Sequence, residues 1–282
     1  MKLLTAAQVT KIQMPPWVLD GWIRAKTLTM LSAPGFAGKS NLATALAAHA
    51  ASGRGFLGQP APVRRMRVVY VGNDAADWDH ATQLRRILAG AGLPPESCDP
   101  TDEHSGGLWY CFQSLTLSDP SRFDEILGSV AYPSGALPDL IVVDTLRAFH
   151  DLDENDSTAM THVMRFFRGF AARNAAILLL HHSKKPPRGE GAGSWEWDSA
   201  RGSSAIHNSL DTHMILVPFS GRGRRPKLGA KSSKISVRWV KGRGGAAAPA
   251  LRYKMEWSDE AIRFTEIRPP GRPMVSGVER VL

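Results

Sequence analysis

Ala33, Gly38, Lys39 and Ser40 stand in the spacing A-x-x-x-x-G-K-S, and Asp144 closes an apolar run 105 residues after Lys39. These residue types in this order bind phosphate. Ala33, Pro34, Gly35, Phe36, Ala37, Gly38, Lys39, Ser40 and Asn41 form a loop whose N–H groups, with the N-terminus of the helix behind them, converge on an anion. Lys39 adds a point charge for the β- and γ-phosphates, and Ser40 offers a hydroxyl to Mg²⁺. Asp144, at the end of DLIVVD (139–144), is the second group expected to hold Mg²⁺, directly or through water. The ligand expected is a nucleoside triphosphate with Mg²⁺.

Hydrolysis also needs a group that orients the attacking water. Asp74 follows the apolar run RVVYVG (67–72) and is the candidate, with Asn73 as its neighbouring alternative. His182 ends AAILLLHH (175–182) and is placed to sense the γ-phosphate, whereas His181 reads equally as a packed or surface histidine. The His-His pair has no partner set at metal-ligand spacing, so a metal centre is not expected there.

These residues need an element behind each of them. TLTML (27–31) leads into the phosphate loop, and NLATALAAHAA (41–51) is a strong helix former behind it. Further apolar runs alternate with helix-like ones: 67–72 before 78–92, 107–113 before 121–131, 139–144 before 158–174, then 175–182. Buried strands alternating with helices predict an α/β fold, a mostly parallel twisted sheet flanked by helices. From about 212 the pattern changes to THMILVPF, KISVRWVK, LRYKMEW and AIRFTEI, short strands expected as antiparallel additions at the C-terminal edge. The organisation expected is a leader over 1–19, one ATPase domain over 20–266 and a tail over 267–282.

The net charge of +9 is concentrated in one place. Residues 220–244 hold nine Lys/Arg and no acid; outside them 26 basic residues face 26 acidic ones. A basic run of that kind suits a polyanion, and Arg222, Arg224 and Arg225 lead it. The two cysteines, Cys98 and Cys111, exclude a disulfide framework and predict a reducing compartment. No signal peptide or membrane-spanning run is recognised, so a cytoplasmic protein without membrane attachment is expected.

Taken in order, APGFAGKS (33–40), VVYVGND (68–74), VVDTLRAFHDLDEND (142–156), ILLLHHSKK (177–185) and SARGSSAIHN (199–208) resemble the RepA-type hexameric replicative helicases. These are RecA-like ATPases within the wider group that includes DnaB-type helicases and RecA. KISVRWVKGRGG (234–245) resembles the strand that follows in that family. The resemblance implies a RecA-like core, ATP hydrolysis coupled to unwinding, a homo-hexameric ring on single-stranded DNA, and a replication initiator or primase as protein partner. It implies Asp144 as the Walker B acid, His182 as sensor, and Arg201 beside a DNA-binding loop and subunit interface. Lys184, Lys185 and Arg188 would then meet DNA phosphates, and Trp195 or Trp197 would stack on a base. Asp74-Ala75 stands where RepA-like proteins have Glu-Asp, which shortens the carboxylate's arm. Lys241 and Arg243 match the Lys-x-Arg that DnaB-type helicases insert into a neighbouring subunit's nucleotide site. Two other readings remain open: a RecA-like DNA-binding or regulatory ATPase without unwinding activity, and a small-molecule kinase.

Overall fold

The computed structural model describes residues 3–72, 74–113, 117, 120–183, 202–218, 231–243 and 250–268. A short helix α1 (Ala6–Val9) precedes a hairpin of β1 (Trp17–Leu19) and β2 (Ile23–Arg24). Then come β3 (Leu28–Ala33), α2 (Lys39–Ser52), β4 (Arg67–Gly72), α3 (Asp77–Ala91), β5 (Gly107–Cys111), α4 (Pro120–Ser129), β6 (Leu140–Asp144), α5 (Ser157–Ala172) and β7 (Ala176–His182). The chain closes with α6 (Ser204–Ser209), β8 (Thr212–Pro218), β9 (Ser232–Gly242), β10 (Leu251–Trp257) and β11 (Ile262–Glu266). Val18 and Leu19, within the expected leader, are buried in the main core, so packing of the ATPase core reaches back to β1.

Nine strands form one sheet in the order β11-β10-β9-β8-β3-β7-β6-β4-β5. From β8 to β5 every neighbouring pair is parallel; from β8 outward to β11 every pair is antiparallel. THMILVPF is therefore the strand at which direction changes, since β8 lies parallel to β3 on one side and antiparallel to β9 on the other. It is buried from His213 to Val217, as a strand between two neighbours must be.

Strand alternation divides the core between the two faces. Leu31, Val68, Tyr70, Val142 and Leu180 point to one face and pack with Leu42 and Leu46 of α2 and Ile87 of α3. Met30, Val69, Val71, Val143 and Leu179 point to the other and pack with Phe123 of α4 and Phe167 of α5. α2 is apolar around most of its circumference because it lies inside this packing, against the sheet and α3. The antiparallel strands wrap on the same side: a Cβ on Gly90 of α3 would stand 1.9 Å from the carbonyl oxygen of Ile262 in β11. Only glycine allows that approach.

Cys98 and Cys111 are both free and buried. No helix of the described residues is long and apolar enough to cross a membrane.

Candidate nucleotide site

Parallel strands place their carboxyl ends along one edge, and ligands bind outside that edge where the chain turns into helices. β3 turns there into Pro34–Ala37, with the Ala37 N–H donating to the Pro34 carbonyl at 3.2 Å. Gly38 is the N-cap of α2 with φ +83°, and it has no side chain with which to cap the helix. The first N–H groups of α2 therefore keep their donors for a ligand. A Cβ on Gly38 would also lie 2.6 Å from Met255 Cε, so the loop rests on β10. Gly35 has open space where a side chain would stand, and Phe36, at φ +64°, is 98% exposed at the tip.

Lys39, the first residue of α2, turns back toward the sheet and is buried. Its Nζ stands 3.4 Å from Asp144 Oδ1, with both side chains almost entirely out of solvent. Asp144 Oδ2 accepts a hydrogen bond of 2.7 Å from the Tyr70 hydroxyl on β4. Sequence reasoning misses Tyr70, because a tyrosine in an apolar strand reads as core. Burial, and after it the Asp144 carboxylate, hold the Tyr70 phenol well above its ordinary pKa. It stays protonated and keeps donating.

Asp144 is paired with Gly72, which brings the chain beyond β4 to the same edge. Asp74 is exposed there, two residues past the pairing. Next to it α3 begins, and Gln83 reaches back to α2: its amide donates to Asn41 Oδ1 at 2.6 Å while Asn41 faces the Met255 sulfur at 3.7 Å. His182 pairs with Ala33 across β3 and β7, and by alternation with Leu178 and Leu180 it belongs to the face of Lys39 and Asp144. His181 points to the other face, 3.8 Å from Glu154.

That other face holds a second polar group set. Ser32 Oγ, just before the phosphate loop, meets His213 Nε2 at 2.7 Å, and both residues are fully buried. His213 Nδ1 lies 3.0 Å from His207 Nδ1 in α6. Burial first, then His207, His181 and Lys241, push the His213 pKa down to about 3. Lys241 Nζ donates to the carbonyls of His207 and Asn208 at 2.7 and 3.1 Å, and Arg243 Nη2 donates to Asn208 at 2.9 Å. Both cations thus sit on the C-terminal carbonyls of α6, where the helix dipole favours them. Arg243 also lies 3.8 Å from Asp211, whose carboxylate accepts from the Leu28 N–H at the start of β3. Arg243 is therefore at the opposite end of β3 from the phosphate loop, about 17 Å away for a strand of that length.

Arg201, Lys184, Lys185, Arg188, Trp195, Trp197, Arg222, Arg224, Arg225 and Asn73 lie outside the described residues. Their segments leave from ends that are described: 184–201 follows β7, and 219–230 follows β8. Both of those ends share the edge of the phosphate loop.

The family AAA_25, described as an AAA domain, matches residues 1–188. The chain belongs to this family. It is a P-loop ATPase of the DnaB/RecA type, and nucleotide binding and ATP hydrolysis follow from that membership. The match ends inside the segment after β7, yet the phosphate loop rests on Met255, so strands beyond the match complete the site.

A divalent cation fits these residues. The donors are a hydroxyl and a carboxylate, the hard oxygen ligands that Mg²⁺ takes. Among the described residues no group of three or more His, Cys, Asp or Glu could hold a metal alone, so with Ser40 and Asp144 a bound Mg²⁺ would draw on phosphate oxygens and water.

Proposed function

We propose that this ATPase is a hexameric DNA helicase that moves on single-stranded DNA in the replication of a plasmid, phage or mobile element. The observation that supports it most is the shared edge. β3, β6, β7 and β8 are parallel, so the phosphate loop, the loop after Asp144 and the segments carrying Lys184, Lys185, Arg188, Arg222, Arg224 and Arg225 all start side by side. A change at the γ-phosphate then has a short path to cationic segments that hold a phosphate backbone.

In this reading the α2 N–H groups and Lys39 bind the phosphates, Asp74 orients the attacking water, and His182 senses the γ-phosphate from the end of β7. Bound with ATP between Ser40 and Asp144, Mg²⁺ would neutralise phosphate charge. Arg243 cannot reach the phosphate loop of its own subunit, given its place at the far end of β3. As an arginine finger it acts on a neighbour, which requires a ring or filament. In the single subunit it rests on α6, the helix that follows Arg201 in sequence, so assembly and DNA contact would draw on the same element.

Strand displacement on a forked DNA with ATP tests this reading, with Lys39→Ala as the control. Unwinding by the parent and none by the variant is the expected result. DNA-stimulated ATP hydrolysis without displacement on any fork would favour a DNA-binding regulatory ATPase instead, a reading to which the short Asp74 side chain lends support.

A further inference from the structure

We infer that Tyr70 is a positioning residue for the Walker B carboxylate: its hydroxyl fixes Asp144 so that one carboxylate oxygen is kept for the metal side of the nucleotide. This rests on the reading of Asp144 as a group that serves Mg²⁺. The two carboxylate oxygens have different neighbours. Oδ2 is taken by Tyr70 at 2.7 Å, while among the described residues Oδ1 has the looser 3.4 Å contact with Lys39. When phosphates draw Lys39 away, Oδ1 becomes the free oxygen, and the Tyr70 bond prevents the carboxylate from rotating to exchange the two.

The phenol is itself held from three directions. Tyr70 is fully buried, its ring stacks on Tyr110 with centroids 5.0 Å apart, and its strand is in register with β6 from Val68 to Gly72. Tyr70 and Asp144 stand on the same face, one strand apart and displaced by two residues, which is the offset a tyrosine side chain spans. Ligand-orienting groups of this kind act by fixing the angle at which a carboxylate meets its metal, and their loss weakens metal affinity without removing a ligand.

The test measures ADP affinity with and without Mg²⁺, with no turnover involved. In the parent, Mg²⁺ increases ADP affinity; the size of that gain is the readout. Asp144→Asn should abolish most of it. Tyr70→Phe keeps the ring and its stack, and should reduce the gain by about 10-fold while leaving metal-free ADP affinity unchanged. In the Asp144→Asn background, Tyr70→Phe should change the gain by less than about twofold, because its target is gone. Unnatural 4-methylphenylalanine at position 70 fills the space of tyrosine without a donor, and serves if the phenylalanine variant does not fold; it should show the same loss. If Asp144→Asn removes the gain and neither Tyr70 replacement affects it, this inference alone is overturned. An equal loss of metal-free and Mg²⁺-bound affinity also overturns it, since that marks a general packing defect. If Asp144→Asn leaves the gain intact, the reading of Asp144 fails and this inference falls with it.

Discussion

The two faces of the sheet carry buried polar groups within a few residues of each other, and they are built differently. On the α2 face, Lys39 and Asp144 are a buried pair of full charges at a loose 3.4 Å, opposite an uncapped helix N-terminus. On the α6 face, Ser32, His213 and His207 are neutral groups joined at 2.7 and 3.0 Å. Buried charges cost several kcal/mol each unless their geometry is good, whereas satisfied neutral groups cost little. A loose buried charged pair beside an uncapped helix start makes sense where a ligand completes it. The closed histidine chain needs no ligand and serves the packing of α6 and β8 on β3.

The largest effect should come from the charged face. Lys39→Ala removes the phosphate-facing charge, and ATP hydrolysis should fall by at least about 10²–10³-fold. Parent-like turnover would end the assignment of this face. Asp74→Asn should lower kcat by about 10²-fold and leave ATP affinity unchanged, because the residue is exposed and touches no core position. Steady-state kinetics beside equilibrium nucleotide binding checks both.

The histidine face should respond in stability. Ser32→Ala leaves His213 Nε2 buried without its partner and should cost about 1–2 kcal/mol, read as a melting shift of about 2–4 °C per kcal/mol, with the Mg²⁺-linked gain in ADP affinity retained. His213 also sets a direction for pH. Its folded pKa of about 3 lies below the ordinary imidazole value near 6.5, so between the two the unfolded chain binds more protons. Stability is complete above about 6.5 and is lost as pH falls toward 3; His213→Gln should flatten melting curves taken between about pH 7 and about pH 5. A smaller effect is expected outside both faces. Neutralising Arg222, Arg224, Arg225 and Lys227 should lower the salt dependence of single-stranded DNA binding by about 0.7 in log–log slope for each phosphate no longer neutralised. An unchanged slope would remove the basic run from the proposed DNA interface.

Local patterns in the sequence carry much of this arrangement. The G-K-S triplet needs a helix directly behind it, and the apolar run before Asp144 needs a buried strand, so Lys39 belongs at a helix start and Asp144 at a strand end, where the structure pairs them. Residues whose role depends on register are not legible in this way. Tyr70 looks like core until β4 is set beside β6, and Met255 meets Gly38 across more than 200 residues of chain. The direction of β8 is hidden for a similar reason, since an apolar strand buried between two neighbours carries no mark of which one it runs parallel to. Ser32 and His213 read as isolated polar residues in apolar strands, and only the pairing of β3 with β8 makes them partners.

In the proposed ring, hydrolysis at Lys39 and Asp144 is completed by Arg243 of a neighbouring subunit. Arg243→Ala subunits should bind nucleotide normally and fail to hydrolyse it, and Lys39→Ala subunits should be inactive as well. Mixed together, with exchange followed by labelled protein, they should regain ATPase activity, because a Lys39→Ala subunit lends an intact Arg243 to the intact phosphate loop of its neighbour. No recovery at any ratio, with exchange demonstrated, would contradict the claim.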